Sequence, residues 1–362
     1  MINEDDLQGN SAQLPMAETP TILVSAENVS GQTTAQAEPV LQPEPLSEVL
    51  AWRNRVEEQL RRVFIGQDEL VRGLLLSLLS GGHVLLESVP GLGKTLLVRS
   101  LGRVLGCQFR RIQFTPDMMP SDLTGTPIFD EAKNDFRFRP GPVFTQLLLA
   151  DEINRAPAKT HAALLEIMQE ATVTVDGTTY RLEPPFIVMA TQNPIETEGT
   201  YPLPEAQLDR FLLKLLINYP SAEEEMRILQ LHLDGREADL HPEKVLETVT
   251  SPIEIIEMQN LCFKNVRVEH RILEYISAIV RKSRSWPSFE LGASPRAGVA
   301  MLRLARAAAA IEGRDFVLPD DVQEICTPVL RHRVRLTPEA EVEGLRPDEI
   351  LSDLLRTIEV PK

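Results

Sequence analysis

The chain has 362 residues, 43% hydrophobic and 25% charged, the balance of a soluble globular protein long enough for two domains. Its 37 Lys and Arg against 53 Asp and Glu leave a net charge of −16, which argues against a general nucleic-acid binder, since that needs surplus positive charge over its footprint. Cys107, Cys262 and Cys326 are too widely spaced for a CxxC metal knuckle or a disulfide framework, and read as buried thiols in a reducing compartment. No window approaches the ~20 apolar residues of a membrane span. Glu4, Asp5 and Asp6 stand where a secretory signal would be basic, so a cytoplasmic location is expected.

Residues 1–46 carry seven acids and no Lys or Arg, and are rich in Gln, Ala, Ser, Thr and Pro. Such a segment buries too little apolar surface to offset chain entropy and is expected to be a disordered acidic tail. From Leu46 to Val63 apolar residues recur at helical spacing, and a second helix is expected from Asp68, as N-cap, to Leu79. Compact apolar runs at 83–87, 109–114, 146–150, 186–191 and 211–219 read as strands, with helical patterns between several of them. That alternation predicts an α/β core with a mostly parallel sheet covered on both faces. Two alternating runs around Lys133-Asn134-Asp135, and two more around Asp176-Gly177, read as β-hairpins.

Beyond Tyr219-Pro220 the strand signals stop. Helical patterns at 222–233, 253–262, 270–285, 295–311 and 320–331 predict a small all-α domain. A last helix is expected within 347–358, preceded by an acidic loop from Pro338 to Glu343. The expected organisation is therefore a tail (1–46), an α/β core (47–220), a helical lid (221–335) and a C-terminal segment with a short helix (336–362). The basic clusters Arg281–Arg284 and Arg331–Arg335 read as charged helix faces or ends, so nucleic acid is not an expected partner.

The most informative segment is Ser88-Val89-Pro90-Gly91-Leu92-Gly93-Lys94-Thr95, set between the strand HVLLE and the helix TLLVRSLGRVL. Glycines let backbone N–H groups approach a phosphate, and the N-terminus of the following helix adds its dipole. Lys94 is placed to reach β- and γ-phosphates, and the Thr95 hydroxyl to bind Mg²⁺. Ser88 departs from the GxxxxGK[ST] pattern, and its Cβ carries a cost if the backbone there is strained. The apolar run Leu147–Ala150 ends in Asp151 and Glu152, the first a candidate for the Mg²⁺ shell and the second for orienting and deprotonating an attacking water. The next strand ends in Thr191, Gln192 and Asn193, where Asn193 is a candidate to hold the water or the γ-phosphate.

Taken together, IGQDEL (65–70), VPGLGKT (89–95), DEINRAPAKTHAALLEIMQE (151–170) and ATQNPIETEGTYPLPEAQLDRF (190–211) resemble the AAA+ ATPases, and most closely the MoxR family. The resemblance spans about 46–335. It implies ATP and Mg²⁺ as ligands, with Ile65 and Gly66 lining the adenine and Pro90, Gly91, Leu92, Gly93, Lys94, Thr95 and Leu96 forming the phosphate loop. It implies Asn193 as sensor 1, Arg210 as an arginine finger reaching an adjacent subunit, and Arg296 as sensor 2. Ser294 and Pro295 are suited to start the helix that carries Arg296. Arg155 is a second candidate for reaching across. A finger that serves a neighbour requires a homo-oligomer, a hexamer by resemblance, acting on a client protein alongside a von Willebrand factor A domain protein. The implied activity is chaperone-like remodelling driven by ATP hydrolysis, with ATP held between core and lid. A weakly hydrolysing switch, for which Ser88 is the ground, and a magnesium-chelatase-like motor subunit are the alternatives.

Overall fold

The computed structural model describes residues 46–89, 91–193, 201–233 and 242–361. The expected acidic tail therefore lies outside the described residues except for Leu46, which is buried rather than part of a tail and leads directly into α1 (Ser47–Leu60). Helix α2 (Asp68–Leu79) follows, with the left-handed Gln67 as its N-cap, so Asp68 is the first helical residue and not the cap. The chain then forms β1 (Val84–Ser88), α3 (Lys94–Val104), β2 (Phe109–Gln113) and α4 (Pro120–Thr124). A hairpin of β3 (Gly125–Asp130) and β4 (Asp135–Pro140) precedes β5 (Leu147–Asp151) and α5 (Ala158–Glu170). A second hairpin, β6 (Thr172–Val175) and β7 (Thr178–Arg181), turns at Asp176-Gly177 and leads to β8 (Ile187–Gln192), α6 (Glu205–Leu208) and β9 (Leu213–Ile217).

Five of these strands form one parallel sheet in the order β2-β5-β8-β1-β9. Alternate side chains go to opposite faces, as the strand period of two requires. Val84, Leu86, Leu149 and Met189 join the core beneath α1, α2 and α3, whereas Leu85, Leu148, Ala150 and Val188 pack with α5. Both faces of β1, β5 and β8 are buried, which is why those strands carry near-continuous apolar runs, whereas the edge strand β2 exposes Arg110, Arg111 and Gln113. The two hairpins touch through Phe138 stacked on Tyr180, with ring centroids 4.4 Å apart.

The remainder is helical: α7 (Ala222–Leu233), α8 (Pro242–Val245), α9 (Pro252–Asn265), α10 (His270–Ser283), then β10 (Phe289–Leu291), α11 (Pro295–Ile311), α12 (Pro319–Leu330), β11 (Arg335–Leu336), α13 (Pro338–Val342) and α14 (Pro347–Arg356). Helix α11 lies at its centre, and its buried Ala300, Ala307 and Ala308 let neighbouring helices approach closely. Strands β10 and β11 form a short antiparallel pair within the lid, too brief to leave a period-two signal in the sequence. Pro338–Val342 is a helical turn rather than a loop, because the Thr337 side chain accepts the Ala340 N–H and Pro338 fits the first helical position. Helix α14 buries Ile350, Leu351 and Leu354 against α10 and α12, so the last segment is continuous with the lid.

Candidate active site

At the C-terminal edge of the sheet, β1 ends in Ser88 and the chain turns into α3. Gly91 and Gly93 take positive φ angles of 86° and 73°, a conformation that costs a side-chain-bearing residue but not glycine. A Cβ on Gly91 would meet nothing within 4 Å, so the loop is open on that side. Gly93 is the N-cap of α3 and supplies no side-chain cap, which leaves the first N–H groups of the helix to an incoming anion. Leu92, Lys94, Thr95 and Leu96 sit half-buried along this turn, and Pro90 lies outside the described residues. Ser88 is buried, pairs in register with Ile217 and donates its hydroxyl to Val89 O at 3.0 Å. It is not among the residues with positive φ, so its Cβ stores no left-handed strain and the ground for a weakened loop is removed.

The acids stand two strands away on the same edge, a separation of ~10 Å at the usual strand spacing. Asp151 is buried at the end of β5. Its Oδ1 accepts the Thr191 hydroxyl at 2.5 Å, and its Oδ2 accepts Arg111 Nη2 at 2.7 Å. Thr191, fully buried on β8, in turn accepts the Glu152 N–H at 2.8 Å. One hydroxyl thus aims both acids. Glu152 is held left-handed at φ 54°, which turns its side chain away from the strand direction, and its Oε2 accepts Gln113 Nε2 at 2.6 Å. Arg155 is ion-paired with that same oxygen at 2.9 Å, beside its own chain's acids. Asn193 is buried at the end of β8, between the phosphate-loop strand and the acid strand.

The segment Phe64–Gln67 closes the site from the α1–α2 side. The Phe64 ring lies 3.5 Å from where a Gly93 Cβ would stand. Gly66, at φ 75°, faces the Glu224 carboxylate so closely that a Cβ would fall 2.1 Å from its oxygen. The Ser221 backbone N–H, donated at 2.7 Å, and then the Ser221 side chain hold that carboxyl below its ordinary range. Ile65 and Gly66 therefore lie between the phosphate loop and the first lid helix.

Arg210 and Arg296 are elsewhere. Both are exposed, and both line one cavity of about 380 Å³ with Arg303, Arg333 and Asp209, the single acid there among the described residues. Gly81, Gly82 and His83, just before β1, form its floor. The cavity is thus at the N-terminal edge of the sheet, ~17 Å from the phosphate loop across the length of β1 at ~3.3 Å per residue. The lid therefore contributes Glu224 to the loop edge but carries Arg296 to the opposite one, which corrects the picture of a single cleft between core and lid. Ser294 does cap α11 as its sequence suggests, accepting the Arg296 N–H at 3.1 Å.

The Arg331–Arg335 cluster is not merely a charged helix end. Arg333 is interior, its side chain 3% exposed, and His332 is buried beside it, donating Nε2–H to Phe211 O at 3.1 Å. Arg333 escapes sequence reading because all but one of its acceptors lie more than 120 residues away, Val329 O being the local exception. Arg111 and Gln113 carry no motif of their own, though their spacing of two on β2 puts them on one face of the strand. His83 bridges elements as well: Nδ1 accepts the Val188 N–H at 3.0 Å, so Nε2–H donates to Met168 O at 2.8 Å. All three cysteines are buried and free, and burial pushes each thiol up to about 12.

The donor set fits Mg²⁺ arriving with a nucleotide. Among the described residues no group of three or more His, Cys, Asp or Glu could hold a metal by itself. A Thr95 hydroxyl and an Asp151 carboxylate already aimed by Thr191 suit an ion that takes one or two protein ligands and fills its shell with water and phosphate oxygens. Among the described residues no helix is long and apolar enough to cross a membrane.

Residues 83–213 match the family described as ATPases associated with various cellular activities (AAA), and residues 281–354 match an AAA lid domain. Bacillus subtilis YeaC, described as an uncharacterized protein, is 48% identical over 304 residues, covering 84% of this chain and 93% of its own. Chaperone MoxR1 of Mycobacterium tuberculosis is 44% identical over 315 residues, covering 84% of this chain and 81% of its own. A crystal structure from Cytophaga hutchinsonii, described as a candidate ATPase, superposes with a TM-score of 0.79 at 40% identity, covering 87% of this chain and 98% of that one.

Proposed function

Because the chain belongs to the MoxR family of AAA+ ATPases, we propose that it hydrolyses ATP at sites shared between neighbouring copies of itself and uses the turnover to remodel a partner protein. The N-terminus of α3 and Lys94 grip the β- and γ-phosphates, and Ile65, Gly66 and the start of α7 bracket the adenine. Thr95 and Asp151 would hold Mg²⁺, which would supply neutralisation of the charge developing on the phosphates. Glu152 orients the attacking water and accepts its proton, with Gln113 and the left-handed backbone fixing its direction, and Asn193 steadies the water or the γ-phosphate. Arg210 and Arg296 arrive from the adjacent chain and stabilise charge in the transition state.

The observation that carries this reading is the separation of the two arginines from the phosphate loop by the length of a strand. Arginines at one edge and a phosphate loop at the other suit a head-to-tail contact, which forms a ring where the rotation between copies closes. Six copies is the number the family suggests. Movement of lid against core is transmitted to a client through the two hairpins, which are already joined by Phe138 and Tyr180, with a von Willebrand factor A domain protein as partner. Three unpaired buried thiols fit a reducing, cytoplasmic setting.

The test is specific ATPase activity across a dilution series, with sedimentation velocity on the same samples. Activity per chain should fall steeply as the assembly dissociates. Full activity from a monomer would overturn the reading.

A further inference from the structure

Resting on the reading that Arg210 and Arg296 serve an adjacent chain, we propose that Asp209 is the positioning residue that locks these two arginines into one rigid unit, through Arg333 on one carboxylate oxygen and Ser294 on the other. Neither arginine can be positioned by burial, since both are exposed. Their placement must come from the backbone beneath them.

That backbone is held from both sides by one carboxylate. Asp209 Oδ1 accepts Arg333 Nε at 2.7 Å, and Oδ2 accepts the Ser294 hydroxyl at 2.9 Å. The same Ser294 oxygen accepts the Arg296 N–H. A continuous relay therefore runs from the Arg296 backbone through one hydroxyl to the residue next to Arg210. Donating to Asp209 and accepting from Arg296 leaves that hydroxyl a single useful orientation, and each bond polarises the next. Arg333 completes the clamp. Its guanidinium also donates to the carbonyls of Asp209 (3.2 Å), Phe211 (2.5 Å) and Leu212 (3.0 Å), so the backbone on both sides of Arg210 ends on one lid side chain.

The charge pattern explains why the residue is an acid. Among the described residues, Asp209 is the one carboxylate in a cavity lined by four arginines. Burial draws the Arg333 guanidinium down from its usual range, the Asp209 hydrogen bond and charge hold it up, and the nearby Arg296 charge works against it. An asparagine keeps one acceptor but turns an NH₂ group toward either Arg333 or Ser294. Facing Arg333 it opposes donor to donor, and facing Ser294 it takes the acceptor from the hydroxyl proton, which breaks the relay.

The experiment uses the full chain. Asp209→Asn and Ser294→Ala should each lower turnover about 10- to 100-fold, the loss that a displacement near 1 Å produces. Fluorescent ATP-analogue affinity should stay within about twofold, because the phosphate loop is untouched. Mixed 1:1 with Glu152→Gln, itself inactive, each variant should regain activity, since the Glu152→Gln chain lends intact arginines. Ser294→Thr, which keeps the hydroxyl, should restore turnover, and adding Asp209→Asn to Arg210→Ala should slow it no further. The control pair is Arg210→Ala with Glu152→Gln. If that pair stays dead, the shared-site reading fails and the role of Asp209 falls with it. If that pair recovers while Asp209→Asn turns over like wild type, or fails to recover on mixing, only the Asp209 inference is overturned. Should Asp209→Asn not fold, the contrast between Ser294→Ala and Ser294→Thr decides alone: equal rates refute the relay.

Discussion

Replacing Thr191 with valine separates shape from hydrogen bonding at the point where both acids are aimed. Valine is nearly isosteric, so no cavity opens at this fully buried position. Two bonds disappear: the Glu152 N–H loses its acceptor at 2.8 Å, and Asp151 Oδ1 loses its donor at 2.5 Å. An unsatisfied buried N–H costs about 1–3 kcal/mol and a charge-assisted bond is worth a similar amount, whereas Arg111 still serves Oδ2, so the loss should be about 3 kcal/mol. For a chain of this size that corresponds to a melting temperature lower by roughly 4–5 °C. Turnover should fall at least about tenfold, because the group that orients water loses its anchor. Differential scanning fluorimetry of the nucleotide-free protein and a phosphate-release assay read the two effects. Thr191→Ser keeps the hydroxyl and should lose only about 1 kcal/mol for the buried methyl while staying active. If Thr191→Val melts within about 2 °C of wild type and hydrolyses ATP normally, the hydroxyl does not align the acids and the reasoning is wrong.

Two further outcomes follow from other sites. His83 keeps part of its surface accessible, but both ring nitrogens face backbone partners, and burial with the Arg303 charge draws its pKa to about 4. His332 is drawn down in the same direction by burial. The folded state therefore holds both rings neutral. The stability they contribute is complete above the unfolded pKa near 6.5 and declines as pH falls toward 4, by at most about 3 kcal/mol for His83. Urea unfolding at pH 7 and pH 5 should show the decline, and His83→Gln should flatten it; an unchanged pH slope would contradict the assignment. Gly66→Ala forces a left-handed alanine against Glu224, a strain on the order of 1 kcal/mol, and should weaken ATP-analogue binding about fivefold or more by titration. Wild-type affinity would mean that this segment does not line the nucleotide.

The contrast between Asp151 and Asp209 explains what could be read from sequence alone. Asp151 follows a run of four apolar residues, the pattern of a strand buried on both faces, and the phosphate loop announces itself through glycines placed before a helix. Those signals are local. Asp209 draws its meaning from Ser294 and Arg333, 85 and 124 residues away, and no periodicity connects them. Arg333 looks like any member of a basic cluster until five oxygen acceptors from the core loop and its own helix surround it. The short elements failed for a different reason. β10, β11 and α13 span five residues or fewer, below the length at which a hydrophobic period can be distinguished from a loop. The edge occupied by Arg296 was equally invisible, because it depends on how α11 packs against α1, α2 and α9.

The decisive property is which chain's nucleotide the lid arginine serves. Arg296→Ala and Glu152→Gln, each inactive alone, should be mixed in equal amounts and assayed for phosphate release. If Arg296 acts on the adjacent chain, an Arg296→Ala chain followed by a Glu152→Gln neighbour holds a complete site, and activity should return toward about one quarter of wild type, the share of such pairs in a random ring. If Arg296 acts on its own chain, every site in the mixture lacks one essential group, and the mixture should remain as inactive as its components.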